Sequence, residues 1–375
     1  MYKIIHLSTV HSPFDTRIFH KECKSLAQSG YDVTLVVPHD QDEVLDGVQI
    51  KSIRKPKNRL ERMTKTVWQV TQVALQINGD LYHFHDPELI GVGLLLKLRR
   101  KKVVYDIHED YQTSIQQKSY LPKYLSYVFS VIFNAVESFL SNFFELVLAE
   151  KYYLKRFPKG IVISNYPVIA ETKMVVSELK QNTSEIKLLY TGSITEDRGA
   201  LIHAQIIEKI PNVHLYMVGY CTQQLADKIR KVAGSAIERI HLVGEEKRVP
   251  FTTILDFYQQ HQWTAGLAIF PETPHYTQKE LTKFFEYMDA GIPIICSNFP
   301  VWEALIKDNG VGFCVTPDDD QTIFQAIQYL IEHPTERLEM GQRGQKAIRE
   351  KYNWNVEYYK LQNIYENILG RTIFQ

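Results

Sequence analysis

Cysteine is scarce and scattered in this 375-residue chain: four residues, Cys23, Cys221, Cys296 and Cys314, without metal-ligand spacing. Cys296 and Cys314 fall in apolar runs expected to bury them as reduced thiols. An excess of charge of one sign is also missing. Forty-three basic residues balance 43 acidic ones, so no global field draws the chain toward nucleic acid. No run of about 18 apolar residues occurs, so no helix is expected to span a membrane. The sequence opens directly on a strand pattern, MYKIIHLS, where a signal peptide would stand. A soluble cytoplasmic protein is the expectation. At 375 residues, two domains are expected rather than one core, and 45% apolar content argues against disorder.

What is present is an alternation of strands and helices. Residues 2–8 read as a buried strand, followed by the loop TVHSPFDTR, a helix and the strand YDVTLVV. Asp15 or Thr16 can cap that helix, whose apolar stripe is Phe19, Cys23, Leu26 and Ala27. Ligands of open α/β sheets bind beyond the carboxyl ends of strands, so His11, Asp15 and Arg17 point toward a site. The plainer alternative has Asp15 only capping and Arg17 only sitting in a first turn. DLYHFHDPELIG and VVYDIHED are further strand-to-loop passages. His83, His85 and Asp86 could ligate a metal, but with no further ligand cluster nearby they are expected to hydrogen-bond to backbone.

Residues 51–65 carry seven basic residues against Glu61, interleaved with Leu60 and Met63 and followed by Val67 and Trp68. Such a run is either a solvated face or a segment lying on an anionic membrane. Over 123–147, polar residues including Ser130, Glu137 and Ser141 recur at helical spacing beside a wide aromatic face. That polar stripe lacks Lys and Arg, so the apolar face is expected to meet the core. The polar segment Ser177–Glu185 reads as a linker. Strand patterns at 186–191, 213–218, 239–243 and 264–270 alternate with helices, predicting a second parallel sheet. In TGSITEDRG, Asp197 can cap and Arg198 can open a helix, offering a fork of donors to a diphosphate. Gly219 permits close backbone approach. Asp318, Asp319 and Asp320 precede a helix and are expected to cap it and favour its dipole rather than bind metal.

The most informative stretch is KELTKFFEYMDAGIPIICS, Lys279 to Ser297. Thr282 can cap a short helix, Gly291 and Pro293 stop it, and Ile292, Ile294 and Ile295 continue as a strand. Lys283 and Glu286, three apart, share a helix face. A cation and a carboxylate near a helix N-terminus suit a nucleotide sugar, although a surface ion pair is the plainer alternative.

FFEYMDAGIPIICS resembles the donor-site helix of the family 4 glycosyltransferases. HLSTVHSPFDTRIFHKECKSLAQSGYDVTLV, YHFHDPELIG, VVYDIHED and LLYTGSITEDRG resemble that family in the same order, over nearly the whole chain. The resemblance implies the α/β GT-B fold, two Rossmann-like doubly wound domains facing across a cleft. Residues 1–176 would bind acceptor, 186–350 would bind nucleotide sugar, and 351–375 would form a helix returning to the first domain. It implies donor contacts from Gly192, Arg198, Gly219, Gln278, Lys283 and Glu286, and a catalytic set of His108, Arg198, Lys283 and Glu286. His11, Asp15 and Arg17 would line the acceptor side.

The implied activity is retaining transfer from a nucleotide-diphosphate sugar to a glycan or lipid-linked acceptor, in bacterial surface or exopolysaccharide synthesis. No metal and no cofactor are expected, nor is a nucleic acid partner. Peripheral attachment to the inner face of the plasma membrane is a further expectation. Three positions depart from the family pattern: Gln278 replaces the first glutamate of a pair, Ser193 an arginine and Leu281 a proline. These departures leave two alternatives open. One is a non-catalytic GT-B-like subunit that stabilises a partner glycosyltransferase; the other is inverting transfer with His11 or Asp15 as base.

Overall fold

The structure, a computed structural model, describes residues 1–108, 123–169, 186–260 and 262–370. The linker expected at Ser177–Glu185 lies outside these residues. The chain divides into an N-terminal unit, Met1–Val168 with Trp354–Gln375, and a C-terminal unit, Ile169–Asn353.

The sheet of the N-terminal unit contains β1 (Lys3–Leu7), β2 (Asp32–Pro38), β3 (Glu43–Leu45), β4 (Val48–Ile53), β5 (Leu81–Phe84), β6 (Lys102–Ile107), β7 (Glu145–Leu148) and β8 (Ile161–Val162). Their order is β3-β4-β2-β1-β5-β6-β7-β8. All pairs are parallel except the β3–β4 hairpin. That hairpin turns on Asp46-Gly47, both at positive φ (50° and 81°), the backbone that two-residue hairpins require. The strand order reverses between β1 and β5, which creates a crevice at their carboxyl ends.

The helix Trp354–Leu369 belongs to this unit. Trp354, Leu361, Ile364 and Tyr365 pack in one cluster with Ile4, Phe19 and Leu35. Trp354 Nε1 also donates to Ser25 Oγ at 2.8 Å. Fully burying one such apolar side chain contributes about 1.5–3 kcal/mol, so this helix is part of the core.

In the C-terminal unit, β9 (Ile186–Thr191), β10 (Val213–Cys221), β11 (Ile240–Glu245), β12 (Ala265–Ala268), β13 (Ile294–Ser297) and β14 (Gly312–Val315) are all parallel. Their order is β11-β10-β9-β12-β13-β14, with the reversal between β9 and β12. Asp319 caps the helix Asp320–Glu332 by accepting from the amides of Gln321 and Thr322, and Asp320 pairs with Lys209. Asp319 is thus the cap expected within this run.

Three expectations need correction. Leu281, not Thr282, holds the N-cap position of the helix Thr282–Asp289, and no side chain caps it. Asp197 caps nothing. It lies in the short turn Glu196–Arg198, and the helix Ala200–Lys209 starts after Gly199. The helix Lys123–Ser141 is inverted: Glu137 and Ser141 are buried, whereas Tyr127 is 60% and Phe139 67% exposed. Its polar stripe faces inward because Glu137 accepts from Tyr105 Oη at 2.6 Å and from Arg156 at 2.5 Å. Among the described residues no helix is long and apolar enough to cross a membrane.

Candidate active site

In the C-terminal unit the charged residues gather where the strand order reverses. The loop after β9 carries Arg198, and the helix Thr282–Asp289, leading into β13, carries Lys283 and Glu286. Lys283 is only 8% exposed, and its ammonium has no hydrogen-bond partner. It lies 3.7 Å from the centre of the Tyr190 ring and 5.0 Å from that of Phe270. Burial, followed by the Arg198 charge, pushes its pKa well below the ordinary lysine value. A cation held this way over aromatic faces is stabilised by only a kcal/mol or two, roughly, well short of its desolvation cost. An anion placed beside it would supply the rest.

The neighbouring groups are fixed. Arg198 Nε donates to Tyr276 Oη at 3.1 Å, and Tyr276 Oη donates to Asp197 Oδ2 at 2.9 Å. Tyr258 Oη donates to Glu286 Oε2 at 2.8 Å and lies 3.0 Å from Thr191 Oγ1. Gly219 abuts the β9 loop so closely that a Cβ there would sit 1.8 Å from the Gly192 carbonyl oxygen. Gly199 (φ 75°) similarly meets the Ile269 carbonyl at 1.8 Å. At both positions only glycine fits. A pocket of about 870 Å³ at the ends of β12–β14 is lined by Pro271, Thr277, Asn298 and Thr316, among others.

In the N-terminal unit the equivalent edge is a network of paired charges. Arg17 Nε and Nη2 bind both oxygens of Asp106 at 2.9 Å, and Nη1 donates to the Ile163 carbonyl at 2.8 Å. Asp106 Oδ2 also contacts His85 Nδ1 at 3.1 Å and His108 Nδ1 at 3.4 Å. His108 Nε2 reaches His11 Nε2 at 2.8 Å. His11 lies between Asp86 (3.4 Å) and Asp15 (3.7 Å). Burial alone would lower the His11 pKa, but the two carboxylates outweigh it and push it up to about 10. His11 is therefore an imidazolium at neutral pH.

Two family models divide the chain: Glycosyltransferase Family 4 matches residues 4–157, and Glycosyl transferases group 1 matches residues 176–347. The chain belongs to the family 4, group 1 glycosyltransferases.

Solved structures agree on the GT-B fold of this family. Sucrose-phosphate synthase from Thermosynechococcus elongatus superposes with a TM-score of 0.73 at 15% identity, over 99% of this chain and 100% of that one. The Anabaena protein HepE, solved with UDP, superposes at 0.72 and 15% identity, over 97% and 100% of the two chains. A stretch of 83 residues is 26% identical to the phosphatidyl-myo-inositol mannosyltransferase of Mycobacterium leprae (strain TN), covering 22% of this chain and 22% of that protein.

Within this glycosyltransferase the residues singled out from sequence fall into two sets. Gly192 and Arg198 follow β9, Gly219 lies near the end of β10, and Lys283 and Glu286 stand on a helix, all at the carboxyl edge of one sheet. Gln278, also in that region, is exposed and turns its amide toward the Pro274 carbonyl at 3.4 Å. His11, Asp15 and His108 come together in the N-terminal unit. Arg17, expected on the acceptor side, is instead 4% exposed and fully engaged by Asp106 and Ile163. Asp15 Oδ1 accepts from the amides of Arg17 and Ile18 at 2.8 and 2.9 Å, as a capping residue does.

Sequence reasoning missed Tyr190, Tyr258 and Tyr276, which hold Lys283, Glu286 and Arg198. A tyrosine in a strand or helix reads as core, and only the partner across the fold distinguishes it. Asp106 was also missed, although VVYDIHED places it two residues before His108.

Proposed function

We propose that this glycosyltransferase moves a sugar from a nucleotide-diphosphate sugar to a glycan or lipid-linked acceptor with retention of configuration, in bacterial surface polysaccharide synthesis. The observation that carries this reading is the buried, unpartnered Lys283 ammonium beside Arg198. A diphosphate would satisfy both cations and the uncapped amides of the helix Thr282–Asp289. HepE, of the same fold, has also been solved with UDP-glucose, which agrees with this class of donor.

On this reading Glu286, held by Tyr258, binds the ribose hydroxyls, with Gly192, Gly219 and Gln278 beside the donor. Arg198 and Lys283 stabilise the departing phosphates, so transfer needs no divalent ion. The acceptor oxygen attacks the anomeric carbon on the leaving-group side as the glycosidic C–O bond to phosphate breaks. The acceptor proton passes to a donor phosphate oxygen. His108 contacts the sugar as it flattens toward an oxocarbenium state. His11, already protonated, has no lone pair with which to act as base, which favours retention over inversion.

The exposed Leu60, Met63 and Trp68 beside Arg54, Lys55, Lys57 and Arg59 support peripheral attachment to an anionic membrane on the cytoplasmic side. The test is a thermal-shift screen with UDP, GDP and other nucleotides, followed by NMR of the initial product with excess chelator present. A shift with one nucleotide and a retained anomer support the proposal. An inverted product, or loss of transfer with chelator that Mg²⁺ restores, overturns the mechanism. Silence with every nucleotide would favour a non-catalytic partner subunit instead.

A further inference from the structure

The N-terminal unit buries three histidines for which the transfer chemistry has no use. His6 on β1 and His83 on β5 are register partners, and His85 follows two residues after His83 on the same face. All are at most 1% exposed, as is Glu22, which faces them from the helix Ile18–Cys23. His6 Nδ1 lies 3.0 Å from His85 Nε2, and Glu22 Oε2 lies 3.8 and 3.9 Å from these two atoms. His83 Nε2 and both Glu22 oxygens have no hydrogen-bond partner, although Arg17 Nε approaches Glu22 Oε1 at 3.1 Å. One donor atom from each of the four residues lies within 4.8 Å of all the others.

The opposite edges of the rings are tied to oxygen. His85 Nδ1 meets Asp106 Oδ2 at 3.1 Å; His83 Nδ1 and His6 Nε2 meet the Tyr365 hydroxyl at 2.5 and 3.3 Å. If each of these nitrogens carries its proton, the other nitrogen of each ring turns a lone pair toward Glu22. This is the arrangement by which outer oxygens fix the tautomers of metal-binding histidines. Without a cation, a proton between His6 and His85 would satisfy that pair alone. His83 Nε2 and Glu22 Oε2 would stay buried without a hydrogen bond, with Glu22 paired only through Oε1 to Arg17, a state folded proteins rarely keep.

We propose that His6, Glu22, His83 and His85 form a buried site for a divalent cation of the zinc class. Three imidazole nitrogens and one carboxylate oxygen suit a four-coordinate borderline ion. Bonds of about 2.0–2.1 Å would place donor atoms roughly 3.3 Å apart, so the set needs only a modest contraction around the ion. The site is closed to solvent and its role is structural. It ties β1, β5 and the first helix together and, through Tyr365, anchors the last helix. This departs from the sequence-based expectation of no metal. It also departs from the His83–His85–Asp86 set considered there, because Asp86 Oδ2 accepts from Ser8 Oγ and the Thr9 amide instead. Metal-independent transfer at the donor phosphates is unaffected.

The test uses the untagged full-length chain, purified without chelator. Elemental analysis after dialysis should find about one zinc per chain. Chelation should lower Tm, and Zn²⁺ alone should restore it. Cobalt substitution should give the intense visible bands of a four-coordinate ion. Tyr365→Phe should weaken zinc binding about 10- to 100-fold, and Glu22→Gln and His83→Ala more. His241→Ala serves as a control, because it breaks a close imidazole pair in the C-terminal unit, His214–His241 at 3.2 Å, and should change nothing. Wild-type protein that neither retains zinc nor shifts Tm with it overturns the proposal, whatever the variants do. So does zinc binding that survives His83→Ala in a folded protein, or that disappears with His241→Ala.

Discussion

The two units place their charges at the same point of the same topology, yet treat them oppositely. Beside β1 and β5 each cation that sequence had singled out has its carboxylate: Arg17 has Asp106, and His11 has Asp15 and Asp86. Beside β9 and β12, Lys283 has no hydrogen-bond partner, only aromatic faces, the repulsion of Arg198 and a weaker attraction from Glu286. A charge that is already paired is scaffold, because breaking the pair costs more than a ligand returns. On the proposed function, an unpaired buried charge marks a binding site, because a ligand would complete it.

The sharpest way to break that comparison is Arg17→Met. It leaves Asp106 and Glu22 buried without their counter-charge, so stability should fall by about 3–5 kcal/mol. A chemical denaturation midpoint matching wild type would mean that Arg17 is not scaffold. Lys283→Met is the opposite case. Removing a preorganised donor to the leaving group should cost roughly 10²–10³-fold in kcat, while Tm holds or rises because an unpaired buried charge is gone. A large loss of Tm would place Lys283 with the scaffold.

Glu286→Ala should reduce donor kcat/KM by about 10- to 150-fold, the equivalent of roughly 1.5–3 kcal/mol for a charge-assisted hydrogen bond. Unchanged donor kinetics in a folded variant would remove Glu286 from the site.

His11 offers a smaller, pH-dependent effect. Its pKa in the folded protein is about 10, above the ordinary 6.5. Its contribution to stability is therefore complete below pH 6.5 and declines as pH rises toward 10. Tm of wild type should fall along that limb, and His11→Gln should flatten it. Asp15→Asn should cost about 1 kcal/mol at most through capping, plus its share of the His11 limb, since its charge is lost beside the imidazolium, with turnover retained.

Strand positions and the helix Thr282–Asp289 were legible because β-branched runs such as Ile292–Ile295 and the stop at Gly291 are local signals. Local signals do not say which face of a helix is buried. The helix Lys123–Ser141 read as an apolar face on the core, but the fold buries Glu137, because Tyr105 and Arg156 satisfy it from 32 and 19 residues away. Arg17 was misread for the same reason, since its partner Asp106 is 89 residues distant. Thr282 had the chemistry of a cap but stands one position inside the helix that Leu281 begins. Pairings that depend on the fold carried most of the site's electrostatics, and no spacing rule reports them.

The helix Trp354–Leu369 has one more consequence, which concerns the order of synthesis. The N-terminal unit begins the chain but is completed by its last helix, through Trp354 on Ser25 and Tyr365 on His83. A ribosome therefore delivers every element of the second unit before it delivers the last piece of the first. The unit made second can finish folding first, whereas the unit made first must wait with the apolar seat of Trp354 and Tyr365 uncovered. During that wait the nascent chain is a substrate for chaperones, and loss of the helix Trp354–Leu369 would damage the N-terminal unit rather than the unit that directly precedes it.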